Sequence, residues 1–145
     1  MRFDRFTAKL QQALSDAQSI AVGRDHSSIE TVHLLLALLQ QKDGSVSPLL
    51  KQAGANLANL DKKLSEQLER VATLKNPTGE VQVGQDLQRV FNLTDKLAQQ
   101  RQDQFIASEL VLLAIMDAGG DTAKSLQQSG VDKARLQHAI QQLRG

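Results

Sequence analysis

His26, His33 and His138 are the side chains here best suited to metal ligation or proton transfer, and their surroundings argue against both. A zinc site wants cysteine pairs, or two histidines one helical turn apart as in H-E-x-x-H. The chain has no Cys and no such spacing, so no metal site is expected and the histidines read as ordinary surface or partly packed residues. A serine nucleophile raised on a tight turn would be announced by G-x-S-x-G, which is absent. A triad can assemble from scattered residues, but the Ser and Asp positions form no pattern around the histidines. The phosphate cradle G-x-x-x-x-G-K-[ST] is missing as well, so no ATP site, cofactor or catalytic residue is expected in this stretch of chain.

The elements that carry these side chains say the same thing twice. SIETVHLLLALL, from Ser28 to Leu39, returns as FIASELVLLAIM, from Phe105 to Met116, at an offset of 77 (106 − 29). Before each run lies an amphipathic stripe: Phe6, Leu10, Ala13, Leu14 and Ala17 in one, Leu87, Val90, Phe91, Thr94 and Ala98 in the other. The runs themselves are apolar on nearly every side and read as buried helices. LLKQAG, ending at Gly54, is echoed by SLQQSG, ending at Gly130, with Ser47-Pro48 as a cap and first-turn proline for the earlier one. Leu57, Leu60, Leu64 and Leu68 are echoed by Leu136, Ala139, Ile140 and Leu143. The spacing predicts an all-α, pseudo-twofold duplicated four-helix repeat of about eight helices. Repeat one is expected over residues 1–70, a linker containing Pro77, Gly79 and Gly84 over 71–84, and repeat two over 85–145. The Val-containing linker is the one place where extended residues are expected to pair.

Composition narrows the partners. At 145 residues and 41% hydrophobic, the chain is expected to form one compact domain. Its 17 Lys and Arg are interspersed with 16 Asp and Glu and it has 3% aromatic residues, so nucleic acid is not an expected partner. The start MRFDRFTAKL is too charged for a signal peptide, and the longest apolar run, Leu110 to Met116, falls far short of the roughly 20 residues that span a bilayer. No membrane partner, a cytoplasmic location and a monomeric fragment are expected.

Positions that serve only the fold should agree between the halves, so disagreement marks candidates for function. Asp16 faces Leu93, Ser28 faces Phe105 and His33 faces Leu110 at the offset of 77. Leu93 lies off the stripe of Val90, Phe91 and Leu97, which puts apolar character at the edge of the buried face. Two readings stand open: Leu93, Leu97 and Leu110 line a binding groove, or they pack against the linker or the other half. Charge is asymmetric too, with Asp103 facing His26 and Glu109 facing Val32. Glu109 falls in the first turn of its helix, where the helix dipole favours a carboxylate.

RFDRFTAKLQQALSDAQSIA, IETVHLLLALL and GSVSPLLKQAG, in that order, resemble the duplicated N-terminal domain of the Clp/Hsp100 unfoldases, and within them the disaggregase branch. The likeness covers essentially the whole chain. It implies a non-enzymatic, substrate-binding domain of a stress-response chaperone acting in protein refolding. Such a domain is tethered to an AAA+ homohexamer that uses ATP and magnesium and co-operates with the DnaK chaperone system. The domain would capture unfolded or aggregated polypeptide and present it to the ring pore. Thr7, Asp103 and Glu109 match positions that family members keep on one surface and that have been linked to substrate handling; by itself Thr7 would pass as a helix-start residue. The alternative is an adaptor- or degron-binding N-domain of a Clp protease ATPase. Relatives of that kind carry a T-E-H triplet at both buried helices, whereas this chain has Thr31-Val32-His33 and Ser108-Glu109-Leu110, neither complete. A spacer without a ligand is the third class.

Overall fold

The computed structural model describes residues 3–145; Met1 and Arg2, the first two residues of the charged start, lie outside the described residues. A single 3-10 turn, Phe3–Arg5, leads into eight helices. The first half holds α1 (Ala8–Gly23), α2 (Thr31–Gln40), α3 (Val46–Gln52) and α4 (Leu57–Glu69). The second holds α5 (Gln85–Gln100), α6 (Ser108–Ala118), α7 (Gly120–Gln128) and α8 (Lys133–Arg144). Helices α2 and α6 are buried along almost their whole length, while α1 and α5 bury one stripe each, as their periodicity requires. The starts are capped in kind: Thr7 Oγ1, Asn56 Oδ1 and Asp132 Oδ2 each accept a backbone N–H from the first turn of α1, α4 and α8. Among the described residues, no helix is long and apolar enough to cross a membrane.

The start of α3 differs from the sequence reading. Val46 is its first residue and Ser45 its N-cap, so Ser47 and Pro48 lie inside the first turn. The Ser47 hydroxyl donates instead to the Leu39 carbonyl at 3.2 Å. Proline is tolerated there because the first-turn N–H groups have no intrahelical partner to lose.

The halves are stitched to each other. Thr7 N–H donates to the Ile106 carbonyl at 2.9 Å, and Ile106 N–H to the Arg5 carbonyl at 2.8 Å. Their mates repeat the pattern: Gly84 N–H donates to Ile29 at 2.9 Å, and Ile29 N–H to Gln82 at 2.9 Å. Each half thus hands its entry segment to the other half's buried helix. Among the described residues there is no strand, only three isolated bridges. One of them, Phe6 with Ile106, lies outside the linker where pairing was expected. A second reciprocal pair joins Asn56 N–H to Ser129 and Asp132 N–H to Ala53, at 2.8 and 3.1 Å. Between them Gly54 (φ +106°) and Gly130 (φ +103°) meet so closely that a Cβ on either would lie 2.6 or 2.5 Å from the other's carbonyl oxygen. Both glycines are therefore required by proximity as well as by backbone angle. α3 packs on α8 and α4 on α7, so one continuous apolar core runs through both halves.

Candidate functional site

The buried histidines explain much of what the second half does differently. His26 and His33 are fully enclosed, with His26 Nδ1 2.8 Å from His33 Nε2. Glu30 N–H donates to His33 Nδ1 at 2.8 Å, so the ring proton of His33 sits on Nε2 and is donated to His26. Both are thus deeper than the surface or partly packed positions expected of them, and the shared bond gives each buried ring a polar partner. Among the described residues no group of three His, Cys, Asp or Glu is placed to hold a metal ion.

Leu110 occupies the position equivalent to His33 and is likewise completely buried. It therefore does not line an open groove. The polar-to-apolar exchange between His33 and Leu110 takes place inside the core, where Leu110 fills the space a paired imidazole fills in the other half. Leu93 and Leu97 are half-buried on α5, resting against the core with an edge left open. The apolar side chain most open to solvent is Phe105, 61% exposed in the loop between α5 and α6. Its mate Ser28 is instead held inward, donating a hydrogen bond to Glu30.

Thr7, Asp103 and Glu109 are brought to one place. The Thr7–Ile106 backbone bond sets the start of α1 beside the loop that carries Asp103, and Glu109 follows in the first turn of α6. The Thr7 hydroxyl is engaged, accepting the Leu10 N–H at 3.3 Å. Two arginines bracket the cluster. Arg5 donates to the Asp103 and Gln104 carbonyls at 2.9 and 3.3 Å and pairs with Asp95 of α5 at 3.2 Å. Arg144, at the end of α8, donates from Nε to Glu109 at 3.1 Å and from Nη1 to Asp103 at 2.9 Å. Burial opposes the charge of Arg144, but its bonds to Asp103 and the nearby Glu109 carboxylate outweigh it and raise its pKa. The twofold mates of Glu109 and Arg144 are Val32 and Leu68, an apolar pair, the second at the offset of 76 (144 − 68). The sequence signal for Arg144 is a charge standing where its mate Leu68 is apolar, and the neighbouring Leu143 masks it by continuing the apolar stripe.

The equivalent face of the first half is an open cleft of about 540 Å³ lined by Glu30, Thr31, Gln67, Arg70, Asp86 and Arg89. A hydrogen bond with Asp86, followed by burial, pushes the Glu30 carboxyl up to about 7. Its position in the second half is held by Ala107, and that of Asp86 by Lys9 in the first, so no comparable pair forms around Thr7.

This arrangement has counterparts among known proteins. The whole chain is 54% identical to part of the chaperone protein ClpB of Pseudomonas putida and 44% identical to part of that of Vibrio vulnificus, spanning 17% of the length of each. In three dimensions it is similar to the Hsp104 N-terminal domain of Candida albicans, with a TM-score of 0.83 at 19% identity, covering 97% of this chain and 91% of that one. The sequence model of the Clp repeat N-terminal domain matches residues 5–129, and the chain belongs to that family.

Proposed function

We propose that this domain captures unfolded or aggregated polypeptide on its α5–α6 face and presents it to the ATP-driven ring of a full-length disaggregase chaperone. The exposed Phe105 carries the reading. In a chain with four Phe, no Trp and no Tyr, an aromatic ring at 61% exposure is apolar surface without an internal use. Half-buried Leu93 and Leu97 on α5 extend the apolar strip, and Thr7, Asp103 and Glu109 supply its polar side. Resemblance along the whole chain to ClpB supports the same reading. ATP and magnesium, the homohexamer and co-operation with the DnaK system belong to the full-length protein in this proposal, as does its cytoplasmic, stress-responsive setting.

A delivery module must release what it holds, so affinity is expected to be low. A few apolar contacts at roughly 1.5–3 kcal/mol each, less the cost of ordering a flexible client, leave a small surplus. Titration of a fluorescently labelled, permanently unfolded protein should give a Kd in the micromolar range or weaker, about −8 kcal/mol or less favourable. Phe105→Ser, which installs the residue of the other half, should weaken capture several-fold with no loss of melting temperature. A variant that binds as tightly as the parent would remove Phe105 from the surface, and nanomolar binding to one folded partner would favour an adaptor interface.

A further inference from the structure

Glu30, just ahead of α2, and Asp86, in the first turn of α5, bring two carboxyl groups together across the boundary between the halves. Asp86 is committed as an acceptor: Oδ1 takes the Leu87 N–H at 2.7 Å and Oδ2 the Thr31 N–H at 3.4 Å. Glu30 therefore supplies the proton of the hydrogen bond that joins the two side chains. Its carboxyl also accepts from the Ser28 hydroxyl and lies against the chain entering α5, so closely that a Cβ on Gly84 would come 2.8 Å from Oε2 and 3.0 Å from Oε1. We propose that Glu30 and Asp86 are a proton-operated clasp between the halves, closed while they share one proton and released when it is lost, so that the chain entering α5 parts from the start of α2.

The internal repeat supplies the comparison that carries it. Both seams between the halves are the same two-bond stitch: Ile29 N–H to Gln82 and Gly84 N–H to Ile29 at one, Ile106 N–H to Arg5 and Thr7 N–H to Ile106 at the other. At the second seam Ala107 stands in place of Glu30, Lys9 of Asp86 and Thr7 of Gly84, so the stitch closes there without a carboxyl pair. The pair is thus no requirement of the fold, and two carboxylates within hydrogen-bond reach repel once both are ionised. Neighbouring charges do not relieve that repulsion. Arg70, just past α4, and Arg89 of α5 line the same cleft, with Asp121 of α7, yet neither arginine is in an ion pair among the described residues. His33 of α2, which accepts the Glu30 N–H, and His26 beyond it are kept neutral around pH 7, because burial lowers both. The hydrogen bond to Asp86, then burial, hold the Glu30 proton up to about 7, so the clasp is closed below that pH and released above it. The inference stands whether or not the α5–α6 face captures clients.

Amide hydrogen exchange in the intact chain tests the clasp, with one seam as the control for the other. Protection of the Ile29 and Gly84 amides, each corrected for its intrinsic rate, should fall by about tenfold relative to Ile106 and Thr7 as pH rises from about 6 to about 8.5. The Glu30 carboxyl carbon, followed by NMR, should titrate over the same range. Glu30→Gln, whose amide donates to Asp86 at every pH, should hold the two seams at a constant ratio. Equal pH dependence at both seams, or exchange of all four amides through global unfolding alone, would overturn the clasp. So would a Glu30 carboxyl that titrates near its ordinary 4.5. Where Glu30→Gln does not fold, the two measurements on the unaltered chain decide.

Discussion

Leu110→Gln would bury an amide where no partner waits and delete a core leucine, a loss of about 3 kcal/mol or more. Leu93→Gln leaves its amide free to reach water from a half-buried site, so about 1 kcal/mol is expected. Chemical denaturation of the two variants should therefore separate them clearly, and equal losses would mean that Leu93 is as deep as Leu110. Glycines divide in the same way. Gly54→Ala and Gly130→Ala each drive a Cβ against the other's carbonyl at positive φ, and each should cost more than about 2 kcal/mol. Gly23, helical and with nothing within 4 Å of its added Cβ, is the contrasting site. Gly23→Ala should stabilise by about 0.4–1 kcal/mol, read as a raised Tm.

Helix α8 docks its last turn on α6 through Glu109 and Arg144, whose twofold mates Val32 and Leu68 are apolar and buried. Removing Arg144 leaves the buried Glu109 without its partner, and removing Glu109 leaves Arg144 with Asp103 alone, whereas replacing both by apolar residues removes the desolvation cost together with the attraction. Glu109→Val alone and Arg144→Leu alone should each destabilise by about 1–3 kcal/mol, with the double variant close to the parent. Additive losses in that double-mutant cycle would show that the pair is not coupled. At this scale the sequence was most legible. Periodicity located the helices, because an amphipathic stripe has one way to be buried, and Gly54 and Gly130 announced two helix ends. The mutual hydrogen bond of His26 and His33 was not legible, since residues seven apart across a loop carry no spacing signal. The same gap left Leu110 open between groove and core: an exchange of polar for apolar looks alike at both until the polar partner is seen. Asp103 and Glu109 stood out by asymmetry, but their arginine came from α8, at an offset that the intervening turn had shifted by one.

Reciprocal exchange of entry segments makes the molecule one cooperative unit, so titration in one region is felt in the stability of the whole. Two regions of opposite sign meet at the start of α2. Burial first, then the proximity of His26, lowers His33 to about 4 from its ordinary 6.5, and burial and Arg24 lower His26, with Asp25, Glu69 and Asp86 facing the pair. Between those two values the unfolded chain takes up a proton that the folded His33 refuses, and stability falls as pH falls. Glu30 runs the other way. Its folded value of about 7 lies above the ordinary 4.5, so between them the folded chain keeps a proton the unfolded chain has lost, and stability falls as pH rises. In the overlap the carboxyl offsets part of the imidazole effect, and the parent should show a shallow dependence of Tm on pH. Glu30→Gln removes one limb and keeps the other, because glutamine can still accept from Ser28 and leaves the His33 cap in place. The Tm of that variant should climb with pH from about 4.5 to 6.5 more steeply than the parent's, whatever its absolute stability. Parallel curves for parent and variant would mean that Glu30 titrates normally in the fold and that the carboxyl pair with Asp86 holds no proton at neutral pH.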